Sequence, residues 1–331
     1  RAKVSGGRGA LLAVEAPSAE RVAPPCEHFT RCGGCQLQHW ADAPYLAWKR
    51  DEVVRALARR GLDVEVDPIA AAWGEGRRRA AFHAQRVGRT VRFGFIERGG
   101  ARIEPINACP VLAPALADAL AKLRDLSEAF APARGEITLQ CLATETGLDV
   151  AIKGAGKPSA FDRGRLESAA RIADALDLAR LAFDGETLVA RRTPVVSIGP
   201  ARVAPPPGAF LQATLEGERV LGDLVREALL GSERIADLFS GVGTFALRVC
   251  DFAETHAVEG DADMLLALKR AADAVGGLRG VTTERRDLLR TPVAALELKR
   301  YDAIVFDPPR SGAKLQAEQI GASKARRVAA V

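Results

Sequence analysis

The spacing of hydrophobic and polar positions changes character near residue 209. Before that point, short strand-like runs dominate. Leu46, Val53, Val54 and Leu57 recur at helical spacing and predict a helix over residues 44–60, with Lys49, Arg50, Arg55, Arg59 and Arg60 on its other faces. Residues 64–110 read as strands, and Val91–Ile96 alternates in part, as a half-exposed strand does. Leu112–Phe130 reads as helix. Glu136–Leu142 and Leu148–Lys153 flank a Glu-Thr-Gly turn, and Ala179–Phe183 and Thr187–Arg191 flank Asp184-Gly185; both are hairpin signals. At the front, Ala10–Glu15 is a single strand-like stretch followed by proline-rich turns. Pro205–Gly208 reads as a linker. Beyond it a helix, Glu216–Leu230, leads into strands Arg234–Phe239, Thr255–Val258, Val281–Thr283, Tyr301–Phe306 and Arg327–Val331, with helices between them, one near Ala262–Val275. This alternation predicts βαβ units and a parallel sheet. The expected class is therefore α/β: a Rossmann-like sheet at the C-terminal end, preceded by an α+β region.

Composition changes this picture little. Hydrophobic residues make up 48% and charged residues 27%, ordinary for a globular protein. No apolar run reaches the roughly 18 residues a membrane helix needs. The net charge of +5 favours an acidic partner without naming it, and at 5% aromatics any base stacking rests on few rings. Six cysteines are too few for a disulfide scaffold. The chain opens at Arg1 and its one methionine is Met264, so the expectation is a portion of a longer polypeptide.

Candidate chemistry lies in three places. Asp237-Leu-Phe-Ser-Gly-Val-Gly-Thr-Phe245 follows a hydrophobic strand and opens a helix, and Gly241 and Gly243 permit a tight turn and close approach to a ligand. Ala246 stands where dinucleotide folds have a third glycine, so the pair alone also fits a plain strand–helix turn. Glu259, Asp287 and Asp307 follow the next strands, at the edge where open α/β sheets bind ligands, and Glu259 is placed to accept ribose hydroxyls. The alternative for Glu259 and Asp287 is helix capping. Pro308 and Pro309 stiffen the loop after Asp307. The second place is a cysteine set. Cys26, Cys32 and Cys35 on a glycine-rich loop, with Cys109-Pro110 later, have metal-site spacing that suits zinc or an iron–sulfur cluster. Cys141 and Cys250 read as core thiols. The third is a basic stripe, Arg77, Arg78, Arg79, Arg86, Arg89 and Arg92, interleaved with Phe82, His83, Phe93 and Phe95. It can track a phosphate backbone or be a solvated strand face.

Five motifs in order, Cys26-x5-Cys-Gly-Gly-Cys-Gln-Leu-Gln-His39, Cys109-Pro110, Phe210-Leu-Gln212, Asp237-Leu-Phe-x-Gly-x-Gly243 and Phe306-Asp-Pro-Pro-Arg310 with Gly312-Ala313, make the chain resemble the RNA (uracil-5-)-methyltransferases, the TRAM-domain group with an iron–sulfur cluster. The resemblance spans residues 21–331. It implies an enzyme that moves a methyl group from S-adenosylmethionine to C5 of a uridine in structured RNA, ribosomal RNA ahead of transfer RNA. The protein would act as a cytoplasmic monomer with no membrane partner. A non-catalytic iron–sulfur RNA-binding protein is the alternative. It implies a 4Fe–4S cluster on Cys26, Cys32, Cys35 and Cys109. It implies donor contacts at Gln212, Phe239, Gly241, Gly243, Thr244, Glu259, Asp287 and Asp307, with Asp307 supporting catalysis, and RNA contacts at Arg77, Arg78, Arg79, Arg89 and Arg92. Thr244 and Thr214 stand where many relatives have asparagine. The implied domains are residues 1–20, the remnant of a TRAM barrel; residues 21–208, an iron–sulfur and central RNA-binding domain; and residues 209–331, a methyltransferase domain lacking its C-terminal part. The family's nucleophilic cysteine and general-base glutamate would follow Val331, so the expectation is that neither is among these residues.

Overall fold

The computed structural model describes residues 2–5 and 8–331. They form two compact units: residues 1–71 with 95–104, and residues 72–94 with 105–331. This grouping differs from the three-way division expected from the sequence. Residues 72–94 and 105–208 belong with the βαβ region.

In the first unit, β1 (Ala2–Ser5) and β2 (Arg8–Leu11) pair antiparallel. The strand expected at Ala10–Glu15 therefore ends early, at Leu11. Helix α1 (Asp42–Ala58) covers most of the residues whose apolar spacing predicted it, yet it buries none of them fully. The cysteine loop between these elements has no regular structure.

The second unit contains most of a seven-stranded, mainly antiparallel sheet. Its strands are β3 (Arg79–Val87), β4 (Thr90–Ile96), β5 (Ile103–Pro105), β6 (Glu136–Thr144), β7 (Gly147–Lys153), β8 (Arg180–Phe183) and β9 (Glu186–Ala190), in the order β5-β4-β3-β6-β7-β8-β9. The chain passes between the two units within β4 and β5. Alternate residues of β3 are buried, so Phe82 and Ala84 enter the core while Ala81 and His83 stay half-buried. Helices α2 (Pro114–Asp118) and α3 (Leu120–Phe130) replace the single helix expected there, and α3 packs on β3 and β6. Helix α4 (Arg163–Ala175), capped by Asp162, was not expected. Its buried face is Ala169, Ile172 and Ala173, too small to give a strong periodic signal. Phe130, Phe161 and Phe183 meet beneath it, with ring centroids 4.7–5.7 Å apart.

The run that reads as a linker is not one. A short hairpin of β10 (Val196–Ile198) and β11 (Ala201–Val203) precedes it, and Pro205 is itself buried, its carbonyl accepting from Arg180. The hairpin's Val196, Ile198, Ala201 and Val203 pack with Val242, Leu247, Ala267 and Ala271. It thus closes one face of the second sheet. That sheet follows α5 (Leu215–Leu229) and comprises β12 (Arg234–Leu238), β13 (Glu254–Glu259), β14 (Val281–Arg285), β15 (Ala303–Phe306) and β16 (Arg327–Ala330). Helices α6 (Ala246–Val249), α7 (Ala262–Asp273), α8 (Ala295–Leu298) and α9 (Lys314–Ser323) connect these strands. All strands are parallel, in the order β14-β13-β12-β15-β16, as expected for a Rossmann-like sheet. Both faces of β12 are buried. Ile235 packs with Val225, Leu229 and Val249, and Ala236 and Leu238 pack with Leu288, Leu298 and Ile320. Among the described residues no helix is long and apolar enough to cross a membrane.

Candidate functional site

Because the strands are parallel, their carboxyl ends share one edge. The strand order reverses direction between β12 and β15, which makes a crevice outside these two ends the expected ligand position. Five of the candidate donor residues follow these strand ends: Phe239 and Gly241 after β12, Glu259 at the end of β13, Asp287 after β14 and Asp307 after β15.

The turn after β12 is built from unusual backbone. Phe239 has φ +64, a left-handed conformation rare for a bulky residue, and its N–H donates to the Val258 carbonyl at 3.0 Å. Its ring lies 6.1 Å from that of Phe306. Gly243 has φ +96, and a Cβ there would come within 2.8 Å of Leu268. Only glycine lets this turn approach α7 so closely. Gly241 donates its N–H to Glu259 Oε2 at 3.0 Å, and Glu259 Oε1 accepts from Gly260 (2.7 Å) and Asp261 (3.0 Å). Helix α7 is capped instead by Asp261, whose Oδ1 accepts from Asp263 and Met264. Glu259 thus ties the glycine turn to the next strand end. Thr244 is half-buried at the start of α6.

Asp287 caps no helix: the next one, α8, starts from Ala294. Asp287 stands at the end of β14, where its Oδ1 accepts from Leu289 N–H and its carbonyl closes a turn onto Arg290 and Thr291. Asp307 is half-buried, and burial raises its carboxyl above the usual range. Asp237 opens the glycine-turn motif in the sequence but is given no role of its own there. It sits inside the apolar run Ile-Ala-Asp-Leu, wholly buried, with Oδ2 accepting from Ala246 N–H at 2.9 Å and Oδ1 without a partner. Burial first, then the neighbouring Asp307 and Glu259, push it up to about 7. An acid enclosed by Ile235, Ala236 and Leu238 was the available signal.

Gln212 precedes α5 by three residues. Its carbonyl accepts from Arg78 Nε at 3.3 Å, and the carbonyl of Leu211 accepts from Arg79 Nε at 2.9 Å. The arginine stripe is not uniform. Arg77, Arg89 and Arg92 are exposed and Arg79 is half-buried. Arg78 corrects the expectation: it is buried and paired with fully buried Glu218, which also meets Arg248 at 3.3 Å, so it presents almost no cationic surface to RNA. Arg79 lies 4.3 Å from the centre of the exposed Phe210 ring. Its guanidinium is shifted down by burial and by Arg77 and Arg310 nearby.

In the first unit, Cys26, Cys32 and Cys35 are half-buried on one loop. The Cys32 thiol accepts from Gly34 N–H at 3.4 Å. Burial raises it, and so do Cys35 and Cys26 close by. The loop is braced from within the same unit. His28 and Arg31 both reach Glu104 Oε1, at 3.0 and 2.8 Å, and Gly33 N–H donates to the Ile96 carbonyl. Burial alone would raise Glu104, but those two hydrogen bonds outweigh it and the net shift is downward. Among the described residues, no three His, Cys, Asp or Glu side chains converge to hold a single metal ion. Cys109 is half-buried in the second unit. Cys141 and Cys250 are buried in the second unit as expected, and burial raises both thiols, Cys250 to about 11.

This parallel sheet, with a glycine turn and a row of acids at its carboxyl edge, is the arrangement of a Rossmann-like S-adenosylmethionine-dependent methyltransferase. The fold agrees: the Pyrococcus abyssi tRNA (uracil-54, C5)-methyltransferase, solved with S-adenosyl-L-homocysteine, superposes with a TM-score of 0.72 over 100% of this chain and 81% of its own, at 18% identity. No family model matches the chain. Among curated proteins, it is 44% identical over 324 residues to an uncharacterized RNA methyltransferase of Brucella suis, covering 98% of this chain and 77% of that one. It is 31% identical over 335 residues to the 23S rRNA (uracil(1939)-C(5))-methyltransferase of Halomonas elongata, covering 93% and 67%. The chain belongs to this RNA methyltransferase family.

Proposed function

We propose that the protein transfers the methyl group of S-adenosylmethionine to C5 of a uridine in structured RNA, and that this RNA is ribosomal. The observation that carries the reading is the convergence of Gly241, Gly243, Glu259, Asp287 and Asp307 on one sheet edge beside the strand-order reversal. Glu259 accepts the donor's ribose hydroxyls while Gly241 keeps it oriented. Phe239, Thr244, Asp287 and Gln212 line the donor, and Asp307, on its proline-stiffened loop, faces the reacting base. Methylation at C5 needs a thiolate to add to uracil C6, which makes C5 nucleophilic. A base then removes the C5 proton as the thiolate leaves. Neither Cys141 nor Cys250 suits that role, because both are wholly buried and burial holds them as thiols. The ribosomal assignment is supported by the Halomonas relative. Exposed Arg77, Arg89 and Arg92 supply phosphate contacts.

The four-cysteine set is assigned a 4Fe–4S cluster. The chemistry of the donors fits: three thiols lie on one loop, with Cys26 and Cys35 close enough to raise Cys32, and Cys109 is the fourth by its Cys-Pro spacing. Each thiolate of such a cluster binds a different iron, so the ligands need not converge on a point as they do around one ion. Bound there, it would cross-link the loop. Anaerobically purified protein is expected to be brown with about four irons. A colourless protein holding one zinc would overturn the assignment.

The functional test is mapping 5-methyluridine in RNA from a strain lacking the gene. Loss of one methylation in ribosomal RNA is expected. Loss in transfer RNA would move the substrate, and no loss would remove the activity. In the complete protein, Asp307→Ala is expected to abolish methylation with the iron content unchanged.

A further inference from the structure

We propose that Arg78 and Arg79 are positioning residues that set the conformation of the Phe210–Ala213 segment, and through it the donor-facing side chain of Gln212. The proposal rests on Gln212 touching the donor.

Residues 210–213 lie between β11 and α5 and belong to no helix or strand, so their carbonyls have no regular partner. Three consecutive ones are satisfied by two consecutive arginines, Arg78 just before β3 and Arg79 at its start. Leu211 accepts from Arg79 Nε at 2.9 Å, Gln212 from Arg78 Nε at 3.3 Å and Ala213 from Arg78 N–H at 2.8 Å. Arg79 also stacks on the face of Phe210, which stays exposed at the segment's start. Just beyond, Thr214 caps α5 through Gly217 N–H and donates its hydroxyl to the Ala72 carbonyl at 3.0 Å.

Arg78 is itself fixed: it is locked by Glu218 on α5, and Glu218 in turn holds Arg248 on α6. The segment is therefore anchored to the two helices that flank β12, and to the strand that begins the antiparallel sheet. A lysine at either position keeps the charge but has no Nε–H in the guanidinium plane to reach a carbonyl while the rest of the head pairs elsewhere. Arg77, one residue earlier, is exposed and makes no side-chain bond of this kind, although its backbone pairs with Val111 and Ala113. It is the natural control.

The test compares Arg79→Lys with Arg77→Lys and Gln212→Ala in the complete protein. S-adenosyl-L-homocysteine binding is titrated without RNA, alongside melting temperature and hydrogen exchange of peptides covering residues 209–214. Arg79→Lys is expected to weaken binding about three- to tenfold and to speed exchange in that segment, with the melting temperature nearly unchanged. Arg77→Lys should do neither. If Arg79→Lys leaves exchange in that segment as slow as in the wild type, the positioning role is wrong. If exchange speeds up but both Arg79→Lys and Gln212→Ala bind the ligand normally, the segment is positioned as proposed and the donor contact of Gln212 is what fails. If Gln212→Ala binds weakly while Arg79→Lys binds normally, Arg79 does not act on the donor and the proposal falls.

Discussion

The two sheets of the second unit solve the same packing problem in opposite ways. In the antiparallel sheet burial alternates along β3 and most of β6, and polar residues occupy half-exposed positions between buried ones, although β7 is buried along most of its length. In the parallel sheet β12 is buried on both faces, so polar chemistry is pushed to the strand ends, with Asp237 the one acid left inside. The first arrangement spreads polar groups where solvent or a long ligand can meet them. The second concentrates them at one edge. Stability and ligand binding should therefore be separable in the antiparallel sheet and entangled in the parallel one.

The sharpest test is at the junction. Glu218→Gln leaves Arg78 and Arg248 buried without a counter-charge and is expected to cost about 3–5 kcal/mol in urea unfolding, lowering donor affinity as well. If stability falls but donor affinity does not, the two sheets are less coupled than this network suggests. Next comes Asp237. Its folded pKa of about 7 lies above the ordinary carboxylate value, so the folded state holds the proton more tightly than the unfolded chain. Its contribution to stability is complete below about pH 4 and is lost as pH rises through 7. Relative to Asp237→Asn, the wild type should lose about 2–4 kcal/mol between pH 4 and pH 8, seen in melts across that range. Parallel curves would show that the buried acid does not titrate there.

Smaller effects separate the sheets. Glu259→Gln should weaken S-adenosyl-L-homocysteine binding by roughly 10–100-fold, because a charged acceptor is lost from the ligand and from the Gly241 turn. Ile152→Val, in the wholly buried core of the antiparallel sheet, should cost only about 0.5–1.5 kcal/mol and leave that binding unchanged. A change in donor affinity from Ile152→Val would break the contrast between the sheets.

Much of this layout was legible in the chain. The strands from Arg234 onward match their expected positions within a few residues; the buried central strands β12 and β15 read as nearly continuous apolar runs. The glycine turn and the acids after it followed from the same register. What escaped had weak local signals. The core face of α4 is mostly alanine, and β10 and β11 are three residues each, beside a run of prolines that reads as a linker. Arg78 escaped for another reason. Three adjacent arginines look alike in sequence, and only the partner 140 residues away, Glu218, separates the buried one from its exposed neighbour.

The brace of the cysteine loop bears on how the protein is made. His28 is synthesised 76 residues before Glu104, the carboxylate that holds it. At ribosomal speeds of about 5–20 residues per second, roughly 4–15 s pass between the two. Throughout that interval the growing chain carries three crowded thiols with their anchor still untranslated. Oxidants and stray metal ions compete for them at that moment, before the finished loop can choose its own occupant.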